Sequence, residues 1–237
     1  MRVPTKFAGR YIFAPAMLAV TLISHTAVLA IPCNTGVSGT CGLPLLTPGA
    51  VDPNWTEVYA APSGLPIAAP PGLFGPAYAN RNSNLWLATG PNSGWITPSQ
   101  LANQSEIGGQ YVYHTVFDGL DAFKGRYSTD NELLEVFLNG LLLAGFPTNG
   151  PADFGVWTDF NYISTGLVAV GNTLDFVVRN RGQGGIDANP TVTGFRAEFT
   201  VPEPSVLGLC LAGLGSLILL RRRPTLKEDS PPLNHPS

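Results

Sequence analysis

The chain has 237 residues, 13 Lys and Arg against 16 Asp and Glu, a formal charge of -3, and only 12% charged residues. Between Ile31 and Pro204 six basic residues stand against fourteen acidic ones, a net of -8, which excludes the positive surface that a nucleic-acid partner needs. Trp, Phe, Leu and Val are too plentiful for intrinsic disorder, and the same span is long enough for one hydrophobic core.

The chain opens with a basic segment carrying Arg2, Lys6 and Arg10, followed by an apolar run from Tyr11 to Ala30 without an acidic residue. Val28-Leu29-Ala30 suits cleavage after Ala30, so residues 1–30 are predicted to be a helical signal peptide; an uncleaved membrane helix is the competing reading. Pro32, directly before Cys33, does not fit a lipidation box. Cys33 and Cys41 are separated by Asn34, Gly36, Ser38 and Gly39 among others, a flexible stretch able to close a small loop in an oxidising compartment. Two readings stand for this pair: a disulfide, or free thiols in a frayed terminus. With no histidine nearby, zinc spacing is not met.

Residues 31–104 are rich in Pro and Gly. Pro62, Pro66, Pro70, Pro71 and Pro76 are expected to break regular structure. The apolar clusters Trp55 to Tyr59, Leu85 to Leu87 and Trp95-Ile96 are short enough for strands. This part is predicted to be loops and short strands packed onto residues 105–200, since Trp55, Trp86 and Trp95 are costly to expose.

From Gly109 the pattern becomes that of strands. Tyr111, Tyr113, Thr115 and Phe117 share one face, and Val112, His114 and Val116 the other, as in a strand between two layers. Glu132 to Leu138 is a second strand, followed by the hairpin signal Asn139-Gly140 and a return over Leu141 to Leu143. Val156 to Ile163 follows, with Trp157 and Phe160 as anchors. After the Gly171-Asn172 turn, Leu174, Phe176 and Val178 alternate with Asp175 and Val177. Phe195, Ala197 and Phe199 alternate with Arg196 and Glu198 in the last strand. About seven strands with turn signals between them predict an all-β, antiparallel β-sandwich.

The strings Tyr111 to Asp118, Gly125 to Asn131 and Val136 to Gly140, with Gly171 to Val178 and then Asn180 and Asn189-Pro190-Thr191, resemble the galactose-binding-like jelly roll. That resemblance implies a jelly-roll β-sandwich, a fold found in non-catalytic carbohydrate-binding modules. It also implies structural roles for Asn139, Gly140, Asn172 and Thr173. It does not specify a ligand.

His114, the histidine of the exported span, sits mid-strand and is read as a packed, hydrogen-bonded residue rather than a catalytic base. That span has no Gly-x-Ser-x-Gly elbow, and Gly182-Gln183-Gly184-Gly185 opens no helix that would cradle phosphate. The pairs Asp118/Asp121 and Asp130/Glu132 suit either glycoside hydrolysis or turn capping. Asp118, Asp121, Asp130 and Asn131 at strand ends offer hard oxygen ligands for a structural calcium, against the same turn chemistry. For glycan, Trp157, Tyr162, Trp86 and Trp95 are the candidate platforms, with Asp159, Asn161 and Arg179 as polar partners. Burial is the alternative role for each tryptophan.

The C-terminal region reads Val201-Pro202-Glu203-Pro204, then sixteen uncharged residues from Ser205 to Leu220, then Arg221-Arg222-Arg223. The run is shorter than the roughly 20 residues of a full span, which suits a tilted or temporary transmembrane helix held by the arginines on the cytoplasmic side. The string 201–223 resembles the PEP-CTERM sorting signal. That implies recognition of Pro202, Glu203 and Pro204 by an exosortase, an anchor at Ser205 to Leu220, and a stop at Arg221, Arg222 and Arg223. Members of that family usually end after the basic cluster, whereas here a polar tail, 224–237, follows. The expectation is an exported protein, anchored transiently in the inner membrane and then released to the cell surface or extracellular matrix. There it serves as a non-catalytic module binding exopolysaccharide, or as a purely structural or adhesive component; a glycoside hydrolase ranks third.

Overall fold

The computed structural model describes residues 31–39, 41–62, 73–80, 86–101, 104–119, 122–151, 153–163 and 165–200; the side chains of Leu43 and Tyr162 are not among what it describes. Residues 1–30, read above as a signal peptide, the 201–223 string, residues 224–237 and Asp121 lie outside these residues. The described chain is all-β: β1 (Val37–Ser38), β2 (Gly42–Leu45), β3 (Val51–Ala61), β4 (Gly75–Asn80), β5 (Trp95–Thr97), β6 (Gly109–Phe117), β7 (Phe123–Asp130), β8 (Glu132–Leu138), β9 (Leu141–Leu142), β10 (Thr158–Ile163), β11 (Asn172–Asn180) and β12 (Gly194–Thr200). Single 3-10 turns at Asp153–Gly155 and Gln183–Gly185 are the only helical elements among the described residues.

β1 and β2 form a small hairpin closed by the Cys33–Cys41 disulfide, whose Cα atoms are 4.5 Å apart. The other ten strands make one antiparallel sheet in the order β10-β7-β12-β5-β4-β3-β6-β11-β8-β9. The sheet curls so that its two halves face each other. Phe176 of β11 meets Phe195 of β12 at 4.7 Å between ring centroids, and Trp55 of β3 meets Phe195 at 5.4 Å. Around these rings gather Tyr113, Phe117, Phe123, Tyr127, Phe160 and Phe199, all buried. The inward set of β6 is the one that its alternation predicts: Tyr111, Tyr113, Thr115 and Phe117 are buried. On its outer face Val112 joins Phe137 and Val177 in a second, smaller cluster, whereas Val116 is exposed.

Residues 31–104 are woven into the sheet more deeply than their composition suggests. β3 is eleven residues long and pairs with β6 from Trp55 to Ala61. Pro53 and Pro76 lie inside β3 and β4 instead of ending them. The β3–β4 register shifts between Val51 and Thr56, so the proline is accommodated where the ladder is already broken. The strand expected at Leu85 to Leu87 does not form over Trp86 and Leu87. Instead this segment packs by its side chains and carbonyls: Trp86 Nε1 donates to Asp130 Oδ2 at 2.8 Å, and Leu87 O accepts from Trp95 Nε1 at 2.8 Å.

In the last strand the charged residues that alternate with Phe are buried as well: Arg196 is 2% exposed and Glu198 is also buried. Residues 87–94 cover the face that carries them. Arg196 Nε donates to Ser93 Oγ at 2.8 Å and Nη1 to Ala88 O at 2.6 Å, while Ser93 Oγ donates to Glu198 Oε1 at 2.7 Å. Burial pushes the Arg196 guanidinium down to about 10, still well above neutral, so it keeps its charge.

Two short-range signals are realised closely. Asn139 (φ 52°) and Gly140 (φ 75°) both adopt the left-handed region, which a two-residue type I′ hairpin between β8 and β9 requires. Gly125 on β7 leaves room for the Phe160 ring, which a Cβ there would meet at 2.7 Å.

Replacing Phe195 with Ala removes the ring that both halves of the sheet contact. It is expected to destabilise the fold by about 3–5 kcal/mol, read as a shift in the chemical denaturation midpoint. Val116→Ala, on the exposed outer face, should leave that midpoint nearly unchanged.

Candidate functional site

The free edges of the sheet, β9 and β10, belong to opposite halves. The chain between them crosses the seam, and Phe146 inserts there, 5.0 Å from Phe160 and 6.0 Å from both Tyr127 and Phe176. Tyr127 Oη donates to Pro147 O at 2.6 Å and fixes the crossing. Beside it runs an open groove of about 600 Å³ lined by Leu142 to Pro147 on one wall and by Asp159, Asn161, Ile163 and Thr165 on the other. A smaller hollow of about 230 Å³ lies on the other side of the crossing segment, against Leu133 to Val136. Phe160 is buried while Asp159 and Asn161 are exposed, so the alternation of β10 turns both polar side chains out of the core and into the groove.

Of the residues singled out for glycan contact, Asp159 and Asn161 are therefore brought together. Trp157 is not available as a flat platform. It lies just before β10, with the Arg126 and Arg196 guanidiniums 4.5 and 4.6 Å from its ring centroid. Arg126 in turn holds Glu198 through two bonds, 2.7 and 3.0 Å. Arg179 is on the other half of the sheet, on β11, 3.3 Å from Glu132, which also takes two bonds from Arg181. Trp86 and Trp95 are buried and pack on each other at 4.4 Å. The crossing segment 143–147 was not anticipated as a wall. Gly145 and Pro147 mark a turn in the sequence, but nothing local says that the turn passes from one half of the sheet to the other.

The described residues proposed for calcium are not brought together. Asp118 follows β6 and Asp130 ends β7, a strand that spans roughly 23 Å from Phe123 to Asp130. Asp118 Oδ1 accepts from Gly171 N at 2.8 Å, which is turn chemistry. Asp130 is buried, bonded to Trp86 and to Asn131 Nδ2, and Asn131 Oδ1 accepts from Arg181 N at 2.7 Å. Among the described residues no group of three or more His, Cys, Asp or Glu side chains is arranged to hold a metal ion. His114 Nδ1 lies 2.6 Å from Asp175 Oδ1, and its ring stacks on Phe74 at 4.4 Å, a packed, hydrogen-bonded arrangement.

A set of acidic and phenolic groups that sequence patterning did not single out lies inside the opposite end of the fold. Glu57 pairs in register with Tyr113, and Tyr59 with Tyr111. Glu57 Oε2 and Tyr113 Oη are both inaccessible and without hydrogen-bond partners. Burial, with the Glu106 charge nearby, pushes the Glu57 carboxyl up to about 7, and burial raises Glu106 as well. Burial also raises Asp52 and Asp130 to about 6 each, against the bonds that Asp52 accepts from Gly36 N and Asn54 N and that Asp130 accepts from Trp86.

No family model, curated protein or solved structure matches the chain.

Three of the four raised carboxyls, Glu57, Asp52 and Asp130, have a consequence for stability. Each holds its proton in the folded state at a pH where the unfolded chain has lost it, so the folded state binds more protons between about pH 4 and 7. Stability is therefore expected to fall as pH rises through that window. Thermal melts should show a higher Tm at pH 5 than at pH 8, and Glu57→Gln should reduce that difference.

Proposed function

We propose that this chain is an exported, surface-sorted and non-catalytic β-sandwich protein whose edge groove binds polysaccharide. The finer fold assignment is a jelly roll. It is supported by the curled antiparallel sheet in which sequence-distant strands, β12 beside β7 and β11 between β6 and β8, become neighbours. Sorting is inferred from the ordered string of Pro202-Glu203-Pro204, an uncharged run and Arg221-Arg222-Arg223, with an exosortase as the processing partner. The disulfide supports an oxidising destination outside the cytoplasm.

The observation that most favours glycan binding is the juxtaposition of Asp159 and Asn161 across from the backbone of Leu142 to Pro147 in an open groove. A carboxylate, an amide and main-chain groups on opposing walls can accept and donate to the hydroxyls of a sugar chain. Trp157 contributes to the reading in a different way from the one its type suggests: its contacts with Arg126 and Arg196 support β10, and with it the groove wall.

An array of bacterial exopolysaccharide fragments is the direct test. Binding is expected, independent of added calcium, and the double variant Asp159→Ala/Asn161→Ala should weaken it by about tenfold or more. Retention at the cell surface with no affinity for any glycan would replace this reading with a structural or adhesive one. Trp157→Ala separates support from contact. It should lower the Tm and leave the affinity of the folded fraction close to that of the parent protein.

A further inference from the structure

We infer that, in the anchored precursor, the end of the sandwich built from the turns after β6, β8 and β10 lies against the lipid headgroup region of the bilayer. This rests on the reading of Ser205 to Leu220 as the anchor.

The strand register places the relevant ends together. Asn172 pairs with Phe117, Leu174 with Leu138, Ile163 with Phe123, and Thr200 with Lys124. The chain therefore leaves β12 at the same end as these three turns. Ser205 is five residues beyond Thr200, a reach of at most about 17 Å. Any insertion of Ser205 to Leu220 holds Thr200, at the end of β12, within that distance of the membrane.

The surface presented there carries exposed aliphatic side chains beside the charged Asp118 and Lys124. Val170 is 73% exposed and Leu141 71%, with Val116 and Val168 also exposed. Apolar side chains in this position gain by entering the headgroup boundary, provided that the backbone beneath them is not left short of partners. The backbone is internally satisfied at several points. Gly119 N donates to Ala169 O at 3.0 Å and Gly171 N to Asp118 Oδ1 at 2.8 Å. Asn172 Nδ2 donates to Gly119 O and Val168 O, and its Oδ1 accepts from Val168 N at 2.7 Å. Asn139 Nδ2 donates to Gly166 O at 2.7 Å. These bonds pair the polar groups of the turns while the valines stay exposed, which lowers the cost of removing water from the surface.

Exposed apolar residues also occur at the opposite end, including Ile107 and Ile186. The length of β6 keeps them about 27 Å further from the tether. They provide the internal control.

The test uses the full chain carrying Cys210→Ala, so that the disulfide-bonded Cys33 and Cys41 are the remaining cysteines. Val170→Cys or Ile186→Cys is added and labelled with an environment-sensitive fluorophore. The protein is reconstituted into phosphatidylcholine–phosphatidylglycerol vesicles with and without headgroup spin-labelled lipid. The probe at position 170 is expected to shift to the blue and lose emission to the spin label, while the probe at 186 does neither. Equal, unquenched emission from both positions in protein that floats with the vesicles overturns the apposition and leaves the anchor intact. Protein that does not float with vesicles overturns the anchor and the apposition together.

Discussion

Phe176 and Phe195 sit on strands separated in the sheet by four others, and their rings meet only because the sheet curls back on itself. Every larger feature follows from that closure. It buries Trp55, Tyr113 and Phe199 between the halves and brings the two free edges, β9 and β10, to a common seam. The seam must then be covered, because an open edge exposes unpaired backbone groups. Phe146 and Leu143 fill it from the connecting segment, and the groove is the space that this covering leaves.

The sheet tolerates several polar groups within its packing because each is tied to a particular element. Arg196 and Glu198 secure residues 87–94 over the outer face of β12. Asn149 accepts from Leu133 N and exchanges bonds with Thr129, joining the crossing segment to β7 and β8. Glu57 and Tyr113 are different, since atoms of both are buried without partners. Their unmet bonding marks the interior of that end as the least settled part of the core, in line with the raised Glu57 carboxyl.

Much of the later half was legible because its signals are local. The alternation in β6 and β11, the Asn139-Gly140 hairpin and the inward Phe195, Ala197 and Phe199 depend on a period of two and on two left-handed residues. The earlier half was harder to read because its strands are long-range creations. β3 passes through Pro53 by a register shift, and only pairing with β6 shows it to be a central strand. The burial of Arg196 and Glu198 on β12 likewise depends on a distant segment, residues 87–94, lying over them. At the groove, Asp159 and Asn161 could be named from residue type alone; their position on its wall comes from the alternation of β10. The surroundings of Trp157 could not be read in this way, because the two arginines against its ring come from β7 and β12. For the calcium residues, closeness in sequence is no guide, since β7 runs between the loop that carries Asp118 and its own last residue, Asp130.

Backbone amide shifts recorded while exopolysaccharide fragments are titrated into the protein test the groove assignment most directly. The account predicts saturable shifts concentrated at residues 142–147 and 159–165. Shifts centred instead on Glu57, Glu106 and Tyr113, or none across the series, would contradict it.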